Sequence, residues 1–104
     1  MEVKHITGKD FKAEVLESGK TVLVDFWADW CGPCKMLGPV LEQVQAEVSD
    51  VQIVKINVDN DGDIAEQYNI MSIPTLLLFK NGELVSKSIG FIGKDEVMRF
   101  IGKN

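Results

Sequence analysis

Thr21-Val22-Leu23-Val24-Asp25-Phe26-Trp27 is the stretch on which the fold turns. Nearly every position is apolar, β-branched or aromatic, the mark of a strand covered on both faces and therefore central in its sheet. Downstream, Met36, Leu37, Val40, Leu41, Val44 and Val48 repeat at i, i+3, i+4 and predict an amphipathic helix. It begins near Gly32-Pro33, where proline suits the first helical position. Pro39 lies inside that helix and cannot donate to the Lys35 carbonyl, so a kink is expected without a break.

Further out, Val51–Asp59 reads as another internal strand, and Asp61–Tyr68 as a short helix led by acids. Leu76-Leu77-Leu78-Phe79 is a third buried run. Asn81-Gly82 is a type I′ hairpin dipeptide, which folds Glu83–Ile89 back antiparallel as an edge strand. Lys94–Ile101 closes the chain as a helix with Val97, Met98 and Ile101 on one stripe. Before the central strand, Val3–Ile6 predicts a first strand. Phe11, Val15 and Leu16 then predict a helix that starts at Thr7 or Gly8 and stops at Ser18-Gly19. The order β-α-β-α-β-α-β-β-α implies an α/β fold of three layers, a mixed five-stranded sheet with helices on both sides.

The chain has 104 residues, one domain's worth, enough for a core that needs no metal or disulfide staple. Residues 1–104 are therefore expected to form a single domain. With 11 basic and 16 acidic residues the net charge is −5, and the basic residues are scattered. That combination argues against nucleic acid and anionic membrane surfaces. The segment Met1-Glu2-Val3-Lys4-His5-Ile6 lacks the apolar run of a signal peptide, and no apolar stretch approaches a membrane span. A cytoplasmic protein is expected, and nothing demands more than a monomer.

Trp30-Cys31-Gly32-Pro33-Cys34 stands where the central strand gives way to the helix, and it holds both cysteines of the chain. As a structural staple the pair is poor, because closing so short a loop removes only about 2 kcal/mol of unfolded-state entropy. As half of a zinc site it lacks partners, since the sole histidine is His5 and no third cysteine exists; a closed site would need two chains. As a dithiol redox centre the spacing fits, because residues three apart on a helix's first turn share a face. Cys31 at the helix N-terminus meets unpaired N–H groups and the positive end of the dipole, which favour a thiolate. Cys34, one turn in and beneath Pro33, is placed to resolve a mixed disulfide formed at Cys31. Gly32 lets a partner's backbone approach, and Pro33 fixes the turn without adding a donor.

Asp25 interrupts a buried strand, so its pKa should rise, suiting it to take the proton of Cys34 directly or through water; the alternative is an edge-facing or capped carboxylate. Lys55 in the neighbouring strand is either its charge partner or a snorkelling surface lysine. Trp30 guards the sulfurs or touches substrate, whereas Trp27, Tyr68 and Phe79 read as packing. No phosphate loop, dinucleotide fingerprint or flavin motif appears, so no bound cofactor is expected and the electrons must come from a separate protein.

Val24-Asp25-Phe26-Trp27-Ala28-Asp29-Trp30-Cys31-Gly32-Pro33-Cys34-Lys35 closely resembles the active-site segment of the thioredoxin family. Ile73-Pro74-Thr75 resembles that family's cis-proline loop and Phe79-Lys80-Asn81-Gly82 its hairpin, so the resemblance spans essentially the whole chain. It implies the thioredoxin fold and protein-disulfide reduction by dithiol–disulfide exchange, with disulfide-containing client proteins and a thioredoxin reductase as partners. By the same resemblance Cys31 attacks and Cys34 resolves, and Asp25 and Lys55 match the family's buried acid and lysine. Pro74 is then cis and presents the backbone of Ile73 to a bound strand, with Gly90 lining the same groove. Ser72 stands where a glycine is common, and Phe91 where many members carry a small residue. Both border the groove and bear on partner preference; Asn69, in place of another common glycine, tolerates positive φ. The competing readings are a disulfide-forming or isomerising domain, a non-catalytic module binding through Trp30, Ile73 and Phe91, and a two-chain metal site. Gly32-Pro33 and both cysteines favour the reductase.

Overall fold

In the computed structural model, which describes residues 1–103, five strands form one mixed sheet in the order β1-β3-β2-β4-β5. The strands are β1 (Lys4–His5), β2 (Thr21–Trp27), β3 (Val51–Asn57), β4 (Thr75–Lys80) and β5 (Glu83–Ile89). β3 runs parallel to both β1 and β2, while β4 pairs antiparallel with β2 and with β5. The apolar run Thr21–Trp27 thus occupies the middle of the sheet, and Glu83–Ile89 its edge. Asn81 and Gly82 both take positive φ (50° and 82°), as the tight hairpin requires.

Alternation along β2 divides the core. Val22, Val24 and Phe26 pack with Val54, Ile56, Leu77 and Phe79 against Ile6, Phe11, Val15 and Ala65, the last from α2 (Gly62–Gln67). On the other face Leu23, Ile53, Leu76 and Leu78 meet Leu37, Leu41 and Val44 of α1 (Gly32–Glu47) and Val97 of α3 (Lys94–Phe100). Half-buried Tyr68 packs edge to face on buried Phe79, 5.6 Å between centroids, at the margin of the core built on Val22, Val24 and Phe26. The helix α1 runs through Pro39 without interruption, because its buried stripe continues unshifted from Leu37 to Leu41 and Val44.

The expected first helix takes another form. Gly8–Asp10 is a 3₁₀ turn and Lys12–Leu16 a π-helical turn. Asp61 Oδ1 accepts from the Gly8 amide at 2.8 Å, and Asp10 Oδ2 from the Thr7 amide at 3.2 Å in the manner of a capping box, so the helical segment begins at Gly8. The i to i+5 spacing then sets both Val15 and Leu16 one turn above buried Phe11, a pattern that reads as α-helical in sequence alone. The strand predicted to Asp59 ends at Asn57, whose side-chain oxygen accepts from the Asp59 amide at 2.9 Å and turns the chain.

Candidate active site

β2 delivers the chain to the sheet's end, and a turn through Ala28 and Trp30 carries it into α1. Cys31 is the N-cap in extended conformation, Pro33 occupies the first turn, and the Cys34 amide donates to Cys31 Sγ at 3.2 Å. This is an N-capping interaction with sulfur in place of a side-chain oxygen, and it points a backbone donor at the atom that carries charge in a thiolate. Cys31 and Cys34 are joined as a disulfide with Cα atoms 5.2 Å apart. Both residues are buried, Cys31 5% exposed and Cys34 1%. Cys34, Leu37 and Leu41 share the buried stripe of α1, so Cys34 faces the sheet.

Ala28, Cys31 and Cys34 form a small apolar cluster with Trp27, Val58 and Ile73 around them. The Ile73–Pro74 bond is cis, and the Ile73 carbonyl oxygen lies 3.8 Å from Cys31 Sγ. The Gly90 amide donates to the Pro74 carbonyl at 2.8 Å, and Thr75 Oγ1 to the Ser72 carbonyl at 2.6 Å. The first bond ties the segment entering β4 to the end of β5, and the second closes the turn that carries Ile73 and Pro74. Gly90 takes φ 92°, a conformation that glycine adopts without strain. Gly32 and Pro33 are exposed, and a Cβ at Gly32 would meet nothing, so the space above the disulfide is open.

Trp30 is 70% exposed, and its Nε1–H donates to Asp59 Oδ2 at 2.9 Å. Its ring borders a shallow apolar groove of about 310 Å³ with Val58, Ile70, Met71, Ser72 and Ile73. Phe91, 41% exposed, stands one residue beyond Gly90. The structure therefore brings Cys31, Cys34, Trp30, Ile73, Pro74 and Gly90 into one region. Sequence reading missed Asp59 and Met71, because the first was assigned to a strand and the second carries no local chemical signal.

Asp25 is fully buried on the sheet face that α1 covers, in line with Leu23, and neither carboxylate oxygen has a hydrogen-bond partner. Burial pushes its pKa up to about 7, against the opposing pull of the Lys55 charge. The edge-facing or capped alternative is thereby eliminated. Lys55 is opposite Asp25 in the strand register but belongs to none of the ion pairs among the described residues. Its ammonium lies over the Trp27 ring, 4.5 Å from the centroid, so Trp27 supports a charge as well as packing.

Among the described residues no group of three or more His, Cys, Asp or Glu is arranged to hold a metal ion, and no helix is long and apolar enough to cross a membrane. The sequence profile of the family described as Thioredoxin matches residues 2–103. Thioredoxin of Rickettsia felis is 46% identical over 101 residues, covering 96% of this chain and 96% of that protein. Thioredoxin of Chlorobaculum thiosulfatiphilum is 48% identical over 99 residues, 94% and 92% of the two chains. Thioredoxin 1 of Synechococcus elongatus is 46% identical over 100 residues, 95% and 94%.

Proposed function

Since the chain belongs to the thioredoxin family and is a dithiol–disulfide oxidoreductase whose redox pair is Cys31–Cys34, we propose that it works as a general protein-disulfide reductase, with residues 1–104 acting as one domain. The observation that carries the division of labour is the asymmetry of the pair. Cys31 Sγ accepts a backbone N–H at the helix start, while Cys34 lies on the buried stripe of α1 and faces the sheet.

In the reduced protein the Cys31 thiolate attacks one sulfur of a client disulfide. A Cys31–client S–S bond forms, the client S–S bond breaks, and the first client thiolate departs and takes a proton from water. Asp25, ionised, accepts the Cys34 proton directly or through water. The Cys34 thiolate then attacks Cys31 Sγ, the Cys31–client S–S bond breaks, and the second client sulfur leaves as a thiolate that takes up the proton held by Asp25, through water. Two electrons have passed to the client, and Cys31–Cys34 is a disulfide, the state of this structure.

Trp30, Gly32, Pro33, Ile73, Pro74, Gly90 and Phe91 supply the docking surface in this reading. The Ile73 backbone offers hydrogen bonds to an extended client strand, and the groove beside Trp30 takes an apolar client side chain. Lys55 moderates the charge on Asp25. A separate thioredoxin reductase restores the dithiol, and the protein acts as a cytoplasmic monomer.

Two measurements test this together. The Cys34→Ser variant should accumulate a stable Cys31–client mixed disulfide with a disulfide-bonded protein such as insulin, and Cys31→Ser should accumulate none. The midpoint potential of the wild-type couple should lie near the value usual for reducing members of this family, about −270 mV, a figure that comes from the family and not from this structure. Trapping through Cys34, or a midpoint around −120 to −180 mV, would overturn the assignment and make the protein one that forms or shuffles disulfides.

A further inference from the structure

β1 has only two residues, yet it sets His5 opposite Lys55, which stands opposite Asp25. Residues opposite each other in a parallel pair point to the same face, so His5, Lys55 and Asp25 form one row across three strands. The row passes from an exposed residue through a half-buried one to a fully buried one. Trp27, two residues beyond Asp25 on the same face, joins its members. The Lys55 ammonium lies 4.5 Å from the ring centroid, and His5 meets the ring edge-on, 6.0 Å between centroids at 78°. His5, Thr7, Trp27, Lys55 and Asn57 line a pocket of about 200 Å³ that opens the row to solvent.

Lysine is a flexible stem ending in a strongly hydrated charge, and without a fixed acceptor it swings into water. No described carboxylate pairs with Lys55, so the indole face is what keeps its ammonium inside, beneath Gly38 of α1, where a Cβ would come 3.7 Å from Nζ. The plane of Trp27 therefore decides how near the charge stays to Asp25.

We propose that His5 is a positioning residue for the exchange reaction: packed edge-on against Trp27, it fixes the indole plane on which the Lys55 ammonium rests and so holds that charge beside Asp25. The proposal rests on the reading of Asp25 as acceptor of the Cys34 proton. The other groups facing the row are few. α1 brings Cys34, while its Lys35, Glu42 and Glu47 are exposed, and β4 sets Leu76 opposite Asp25. The loop after β3 brings Asp61, which lines the same pocket and is bound to the Gly8 amide. A brace of this kind acts through shape, so an uncharged aromatic ring should replace the imidazole.

The test follows the Asp25 carboxyl carbon by ¹³C NMR across pH 4–10 in the oxidised full-length protein, together with the pH profile of insulin reduction. Lys55→Met should raise the Asp25 midpoint, because the charge that favours the carboxylate is gone. His5→Ala should raise it in the same direction by about half a pH unit, and His5→Phe should return it to the wild-type value. An unchanged midpoint in His5→Ala overturns the proposal. So does a shift in His5→Phe as large as that in His5→Ala, which would assign the effect to the imidazole's charge. Asp25→Asn separates the two levels. If it leaves the pH profile of reduction as in the wild type, the proton-acceptor reading fails, and the NMR midpoints alone still judge the brace.

Discussion

Replacing Asp25 by alanine should shift stability in the variant's favour progressively as the pH rises from 4 to 8. The carboxyl group is fully buried, neither oxygen has a partner, and its pKa is pushed from 3.8 to about 7 by burial, with Lys55 offsetting part of the effect. Between those values the folded protein keeps a proton that the unfolded chain has released. The native state then binds more protons than the unfolded one, so the free energy of unfolding falls as pH rises through this window. Each unit contributes 1.36 kcal/mol, and about three units give a loss of about 4 kcal/mol by pH 8. Asp25→Ala removes that slope. Whatever the missing side chain costs in packing is the same at every pH, so the diagnostic is the growth of the difference and not its absolute size. Urea unfolding of both oxidised proteins at pH 4, 6 and 8, read by tryptophan fluorescence and fitted with a common slope, measures it directly. A difference that stays flat from pH 4 to 8, or one that favours the wild type increasingly at high pH, would refute the argument that burial governs this group.

Two substitutions away from the redox pair test the packing that holds it. Gly82 has φ 82° and an added Cβ would collide with the Leu16 carbonyl oxygen, so Gly82→Ala should cost about 3 kcal/mol or more, seen as a lower urea midpoint; a loss under about 1 kcal/mol would mean that the hairpin yields without strain. Gln45→Leu should cost about 2–4 kcal/mol by the same assay, since Gln45 is buried, accepts from the Ile53 amide at 2.7 Å and donates to the Val51 carbonyl at 2.8 Å, leaving both orphaned when removed. An unchanged midpoint there would show that water replaces the amide.

What the sequence disclosed is what short-range periodicity encodes. The run Thr21–Trp27 is buried on both faces and so could only be central, and the stripe from Leu37 to Val44 specifies a helix whatever Pro39 does to one bond. Asn81-Gly82 demanded positive φ and therefore a hairpin. The π-helical turn at Lys12–Leu16 was not legible, because Asp61, far along the chain, holds Gly8 and thereby sets how the segment begins. The same divide runs through the site. Two cysteines at helix-start spacing announce a redox pair on their own, and a lone acid in an apolar strand announces a perturbed group. By contrast, the Trp30–Asp59 bond, the groove that includes Met71 and the seat of Lys55 on Trp27 each join residues brought together only by the folded sheet.

In the proposed reaction Asp25 ties the fold's stability to the chemistry with opposite signs. Were the carboxylate satisfied by backbone donors, as buried polar groups usually are, it would stay ionised down to low pH and be too weak a base to draw a proton from a thiol. Leaving both oxygens unpartnered raises their basicity until the group changes charge near pH 7, where a proton acceptor for a thiol is useful. Burial alone would carry the shift further and leave the group protonated when the base is needed. Lys55 limits this, and it does so from the face of Trp27 and not from a direct ion pair, which would favour the carboxylate more strongly and weaken the base. A full ion pair and an isolated acid would each defeat the proton transfer for opposite reasons. In the proposed reaction the half-buried lysine held on an aromatic face lies between them, so its placement would matter as much as its charge.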